Sequence, residues 1–200
     1  MVKSISYDQN EILQWIIDLY LDGKPFELDP TYSKGRLYKS GIPEPSIKSD
    51  LMPQVDDCLC IDATDMPWDD ESIRSVIFDP PFIGGASPTG NPTSRIQIQF
   101  GAYKNITQLY EFYQKAIREI YRILVPNGIL VFKCQDVIEG RKQHWSHIEI
   151  YNMATGLFYG EDLFILLAKT RLFNWKKQFH ARKYHCYFWV FRKLSNEKLG

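Results

Sequence analysis

The sequence predicts an α/β fold built on a mostly parallel sheet, and three observations predict it. Ser75–Phe78 is a short apolar run that ends in Asp79-Pro80-Pro81-Phe82. Ile106, Leu109, Tyr113, Ala116, Ile117, Ile120, Tyr121 and Leu124 recur at the spacing of one helical face, followed by Pro126-Asn127-Gly128 and the apolar run Ile129–Cys134. Strand, helix, turn and strand make a crossover unit, and crossovers join parallel strands. Leu163–Ala168 and His185–Phe191 then read as two strands joined in a hairpin, an antiparallel close to the sheet. Two hundred residues at 44% apolar content suit one core, so a single domain over residues 1–200 is expected.

Taken in order, Ile12, Trp15, Ile16 and Leu19 recur at helical spacing, and Gly23 with Pro25 stops that run. Phe26-Glu27-Leu28 reads as a short strand leading into Asp29-Pro30-Thr31-Tyr32-Ser33-Lys34-Gly35. Ser46 to Met52 is a second strand candidate ending near Asp50, and Cys58–Ile61 is a third, leading into Asp62-Ala63. Val76, Ile77 and Phe78 are strong strand formers, while two consecutive prolines lack N–H donors, so that strand ends at Asp79. An acid there lies on the edge where open α/β sheets bind ligands. Residues 83–95, rich in Gly, Pro, Ser and Thr, form either a segment that closes over a substrate or a disordered connection. Asn105 with Gln108 offers a capping pair for the long helix. Lys133 falls at the carboxyl end of its strand, beside the inferred site. Residues 140–147 are polar and basic with one Trp, and either touch a nucleic-acid backbone or cap the helix that follows. His144 and His147 read as surface histidines rather than metal ligands.

Composition narrows the classes of function. No apolar run approaches the ~20 residues of a membrane span, and Asp8 and Glu11 do not fit a signal peptide, so a cytoplasmic protein without membrane contact is expected. Cys58, Cys60, Cys134 and Cys186 sit in apolar surroundings that suit reduced, packed thiols, and no metal site is read. The formal net charge is zero, but Ser49 to Ile73 is acidic without Lys or Arg. Leu163 to Asn196 is basic, with Lys169, Arg171, Lys176, Lys177, Arg182, Lys183, Arg192 and Lys193 and no acid. Such a segment is either a phosphate-contacting surface or a solvated face.

Asp79-Pro80-Pro81-Phe82 matches the Asp-Pro-Pro-aromatic signature of the amino-methyltransferases, and Asp29-Pro30-x-Tyr32-Ser33-Lys34-Gly35 is similar to the small bacteriophage-type DNA methyltransferases. Without that resemblance, each stretch also fits an ordinary turn. The resemblance implies a single Rossmann-like class I methyltransferase domain, with S-adenosylmethionine as cofactor and a nucleic acid as partner. It implies transfer to the exocyclic amino group of a flipped base, adenine in DNA, with Asp79, Pro80, Pro81 and Phe82 as the catalytic set. The cofactor would lie against Asp29, Pro30, Tyr32, Gly35, Asp50, Asp62 and Ala63. Lys133, Arg141, Lys142, Lys176, Lys177, Arg182 and Lys183 would meet the nucleic acid. An RNA base, a small-molecule substrate and a catalytically silent nucleic-acid-binding module on the same fold stay open as alternatives.

Overall fold

A computed structural model of the chain describes residues 1–82, 103, 105–169 and 180–195. The amino-terminal half holds β1 (Ile5–Ser6), α1 (Gln9–Tyr20), β2 (Leu28–Asp29), β3 (Ile47–Asp50), β4 (Leu59–Cys60) and β5 (Ile73–Phe78). The carboxyl-terminal half holds α2 (Ile106–Ile123), β6 (Leu124–Cys134), β7 (Val137–Glu139), β8 (Lys142–His144), α3 (Ser146–Ala154), β9 (Phe158–Leu167) and β10 (His185–Lys193).

Eight strands form one sheet in the order β1-β9-β10-β6-β5-β2-β3-β4. Only β10 runs antiparallel to its neighbours, β6 and β9; the other pairings are parallel. The α/β architecture with a mostly parallel sheet and an antiparallel strand near its end is therefore as the sequence implies. Both faces are covered, which is what apolar runs without strict alternation demand. Val76, Phe78, Leu130 and Phe132 face α2, whose buried stripe is Ile106, Leu109, Tyr113, Ala116, Ile117, Ile120 and Ile123. Ile77, Val131, Phe188 and Val190 face the other way, onto Ile12, Leu13, Ile16 and Ile17 of α1. The helical face expected around Leu19 is rotated: Leu19 is half exposed, and Leu13 and Ile17 take the sheet.

Local chemistry sets the ends of the helices. The Asp8 carboxylate accepts the Asn10 N–H at 2.9 Å, and Asn105 Oδ1 accepts the Gln108 N–H at 3.0 Å, each satisfying a donor of the first turn. Pro126-Asn127-Gly128 forms no separate turn and instead lies within β6 as a bulge. The register moves from Ile73 opposite Leu124 to Ser75 opposite Ile129, with Asn127 at φ 63°.

Three features were not anticipated from the sequence. β7 and β8 make a small hairpin whose tip, Gly140-Arg141, has φ of 55° and 64°, the two positive values of a tight two-residue turn. β9 starts at Phe158 because β10 pairs along its whole length, overriding the turn-like Gly160-Glu161-Asp162. His147 is not a surface histidine: its Nδ1 lies 2.6 Å from the buried Asp136 carboxylate, and its ring stacks on Tyr187 at 4.3 Å. All four cysteines are free, but Cys60, expected to be packed, is exposed. Among the described residues no helix is long and apolar enough to cross a membrane.

The chain between β4 and β5 carries no helix among the described residues, so side chains must hold it in place. Arg122 of α2 does so, donating to the Met66 carbonyl at 2.9 Å, the Trp68 carbonyl at 2.8 Å, Asp70 at 2.7 Å and Glu119 at 2.7 Å. Replacing Arg122 by Ala should lower unfolding free energy by about 1–2 kcal/mol, read from the urea midpoint. Lys at this position should recover less than half of the loss, because an ammonium cannot reproduce the planar fork.

Candidate active site

In an open parallel sheet, a crevice opens where neighbouring strands send their connections to opposite faces. Here that place lies between β2 and β5, which pair at Leu28 and Val76. Both strands end in an acid, Asp29 on β2 and Asp79 just after β5. Thr31 ties the two ends together. Its Oγ1 accepts the Asp79 N–H at 2.8 Å and donates to Asp29 Oδ1 at 2.9 Å, while the Thr31 N–H bonds the same oxygen at 2.8 Å. The other Asp29 oxygen accepts from the Tyr38 hydroxyl at 2.6 Å. Asp29 is fully buried, and burial pushes its carboxyl up to about 7, against the hydrogen bonds from Tyr38 and Thr31 that pull it down.

Asp79 itself is part-exposed, and its Oδ2 pairs with the Lys133 ammonium at 2.9 Å. Desolvation works against the Lys133 charge, but Asp79, with smaller contributions from Cys186 and Asp29, offsets it and leaves the lysine's pKa raised. The ammonium also lies 5.7 Å from the Phe82 ring centroid and 5.6 Å from that of Phe188. Pro80 is buried, and the Pro81 carbonyl accepts from the fully buried Tyr113 hydroxyl of α2, which pins the motif to the helix behind it. The Pro80 carbonyl has no protein donor among the described residues.

Beside Asp79 lies a shallow cleft open to solvent, lined by Pro30, Thr31, Asp50, Leu51, Met52, Asp62, Ala63, Asp79, Pro81, Tyr103 and Phe112. Asp50 enters from the end of β3: its two oxygens accept the Met52 N–H at 2.8 Å and the Ser33 N–H at 3.0 Å. Burial raises its pKa, against those two bonds. Asp62 enters after β4, with Oδ1 accepting both the N–H and the hydroxyl of Thr64 at 2.8 Å. Leu51 and Met52, both exposed, supply an apolar wall between the two acids.

Of the residues singled out in the sequence, Pro30, Asp50, Asp62, Ala63, Asp79 and Pro81 meet in this one cleft, although they come from separate loops of the chain. Asp29, Tyr32, Gly35, Pro80 and Phe82 are not among its lining. Asp29 is occupied beneath the floor, and Tyr32 stacks on Tyr38 at 5.6 Å. Gly35 turns the chain at φ 62°, where an added Cβ would fall 2.5 Å from the Tyr32 hydroxyl, so its task is to let that ring close the loop. Lys133, expected on nucleic acid, is turned onto Asp79. Arg141 and Lys142 are exposed on the hairpin, Lys183 lies 4.8 Å from the Trp145 ring centroid, and Arg182 is half-buried. Lys176 and Lys177, like the segment 83–95, lie outside the described residues. Of the basic run, part-exposed Arg192 pairs with Glu161, and buried Lys193 bonds the Leu124 carbonyl at 2.6 Å. The sequence reading missed Thr31, Tyr38, Leu51, Met52, Tyr103 and Phe112. Thr31 and Leu51 each stand within two positions of a flagged acid, but neither spacing nor residue type sets them apart.

A scan against protein-family models finds no match, and neither does a search of curated proteins. Solved structures do match. NodS from Bradyrhizobium japonicum WM9, an N-methyltransferase crystallised with S-adenosyl-L-homocysteine, aligns at TM-score 0.52 and 11% identity, covering 92% of this chain and 86% of NodS. The fold is that of the class I methyltransferases. The [4+2]-cyclase SpnF aligns at TM-score 0.56 and 14% identity over 92% of this chain and 81% of its own, so the methyltransferase fold also hosts other chemistry. A proposed DNA modification methylase from Thermus thermophilus aligns at TM-score 0.47 and 20% identity over 68% of this chain; the chain spans about half of it, 51%.

Asp29 makes stability depend on pH. The unfolded carboxyl titrates near 3.8 and the folded one near 7, so the folded state binds more protons between these values. The stabilisation is full below the lower value and is lost as pH rises through the upper one, on the order of 1–4 kcal/mol in all. Urea midpoints should therefore fall from pH 4 to pH 8, and Asp29→Asn, which does not titrate, should flatten that slope.

Proposed function

We propose that this chain, read as one domain over residues 1–200, transfers a methyl group from S-adenosylmethionine to the exocyclic amino group of a nucleic-acid base, adenine in DNA. The observation that carries the reading is the Asp79 carboxylate, held at the sheet's ligand-binding edge by Thr31 and opening onto a cleft with acids at two further strand ends. That cleft suits the cofactor. The Asp50 oxygens each keep a lone pair for a ribose hydroxyl beyond their backbone bonds, and Asp62 Oδ2, outside the Thr64 bonds, suits an adenine amino group. Leu51, Met52 and Ala63 supply apolar surface for a planar ring. NodS, bound to the demethylated cofactor, supports the same choice.

Bound S-adenosylmethionine supplies a sulfonium methyl, and the C–S electron pair stays on sulfur as the amino lone pair forms the new N–C bond. The chain's residues prepare the nucleophile. An aromatic amino group is a poor nucleophile because its lone pair is delocalised into the ring. Asp79 Oδ1 and the Pro80 carbonyl, both acceptors, are suited to take its two N–H bonds, which draws the nitrogen toward tetrahedral geometry and frees the lone pair. As positive charge grows on nitrogen, both acceptors bind it more tightly, so they favour the transition state over the ground state. The nitrogen's surplus proton then leaves to water. Phe82, half-buried beside Asp79, offers a stacking face for a base taken out of its helix. Lys183 lies over the exposed Trp145, and Arg141 and Lys142 are exposed on the β7–β8 hairpin; their positive charge suits a phosphate backbone, a role that this reading extends to Lys176, Lys177 and Arg182.

Incubation with radiolabelled S-adenosylmethionine and a panel of DNA and RNA polymers, followed by nucleoside analysis, tests the reading. Label should appear as N6-methyladenine. Asp79→Ala should lower transfer by roughly 100–1000-fold while calorimetry shows S-adenosylmethionine still bound. Asp50→Ala should weaken that binding by roughly 10–100-fold. Transfer that survives Asp79→Ala, or a wild-type chain that binds no cofactor, would overturn the proposal.

A further inference from the structure

Lys133 is more than a counter-ion. It follows Phe132, which pairs with Phe78 across β6 and β5, so the lysine and Asp79 leave the sheet side by side. On its other flank it pairs with Phe188 of β10. Its side chain is 12% exposed and that of Asp79 is 22% exposed, so both keep some access to solvent. Phe82 and Phe188 flank the ammonium at nearly equal distances and limit its movement. An ammonium has three N–H donors. One goes to Asp79 Oδ2, and the others find no protein acceptor among the described residues. The pair therefore presents a free carboxylate oxygen, which accepts, next to an unsatisfied ammonium, which donates.

We infer that Lys133 donates to the ring nitrogen adjacent to the target amino group, making it a specificity-determining residue for bases that show an acceptor beside an amino donor. This rests on the methyltransferase reading and narrows its substrate class. Adenine, with N1 beside its amino group, and cytosine, with N3 beside its own, both match the Asp79–Lys133 pair. Guanine does not. Its N1 carries a hydrogen, which would face the ammonium donor to donor, and its N3 lies against the sugar. A second effect follows from the same contact: a proton donor on the ring nitrogen holds the base plane fixed, with its amino group at Asp79. Rejection of the mismatched base then comes from leaving a nearly buried charge without its acceptor, which is how polar sites discriminate strongly.

The test compares adenine with 1-deazaadenine, in which C–H replaces N1, in otherwise identical single strands of the polymer that accepts most label. Two readouts are taken: strand affinity by fluorescence anisotropy with S-adenosylhomocysteine present, and kcat/KM for transfer. Wild type should prefer adenine by roughly 10–100-fold in kcat/KM and show the same direction in affinity. Lys133→Met should erase that preference by lowering activity on adenine to the level seen with the deaza base, and Lys133→Arg should restore part of it. Calorimetric binding of S-adenosylmethionine and a cooperative melt by Lys133→Met show that the variant is folded. If wild type methylates adenine but ignores the deaza change, if the preference persists in Lys133→Met, or if guanine amino groups are methylated as readily, the role of Lys133 is wrong while the methyltransferase reading stands. If no polymer accepts label from the wild-type chain, both fall together.

Discussion

One buried hydrogen-bond chain underlies the site: Asp79 N–H to the Thr31 hydroxyl, Thr31 to Asp29, and Tyr38 to the other side of Asp29. β2 and β5 share a single register pair, Leu28 with Val76, so the ladder alone does little to fix the positions of their carboxyl ends. The hydroxyl of Thr31 bridges that gap by accepting on one side and donating on the other. Such chains polarise one another in a low dielectric, and the same environment makes any missing member costly. Asp29 is fully buried yet has both oxygens partnered, which is the condition under which a buried carboxyl is tolerated. Without this relay, Asp79 would hang from two prolines at the end of a strand.

The motif is also gripped from behind. α2 lies across one face of the sheet, and its Tyr113, buried among Phe78, Phe112 and Phe132, extends its hydroxyl to the Pro81 carbonyl. Proline removes the N–H groups that would otherwise let the backbone bond itself, so outside donors must orient these carbonyls. Tyr113 fixes the second carbonyl, and the first, on buried Pro80, takes no protein donor among the described residues. The rigidity of this loop comes from core packing carried outward by one hydroxyl.

Charge is distributed by tertiary contact rather than by segment. The acidic stretch splits between the cleft, where Asp50 and Asp62 stand, and the clamp around Arg122. The basic stretch splits likewise. Arg192 and Lys193 are absorbed by Glu161, Glu71 and main-chain carbonyls, leaving Lys183 with Arg141 and Lys142 of the hairpin as outward positive charge. Thus a run of like charges in sequence becomes two unrelated sets, because Lys183 lies just ahead of β10 and Arg192 and Lys193 lie at its far end.

The sequence by itself determined the architecture and the strand end beside which the cleft lies. Periodicity marked α2, apolar runs marked β5, β6 and β10, and two prolines ended β5 at Asp79, because these are local properties of the chain. It also named six of the cleft's residues through motif and position. Tertiary structure alone decided which acid faces the cleft and which supports it. Asp29 and Asp79 both end a strand, yet one is sealed under Thr31 and Tyr38 while the other opens outward beside Lys133. The extension of β9, the β7–β8 hairpin and the partners of Lys133, Arg122 and Lys193 were likewise beyond the sequence. Each depends on contacts that the fold brings together, most of them between residues dozens of positions apart, and pairwise energies of that kind leave no periodic trace in the chain.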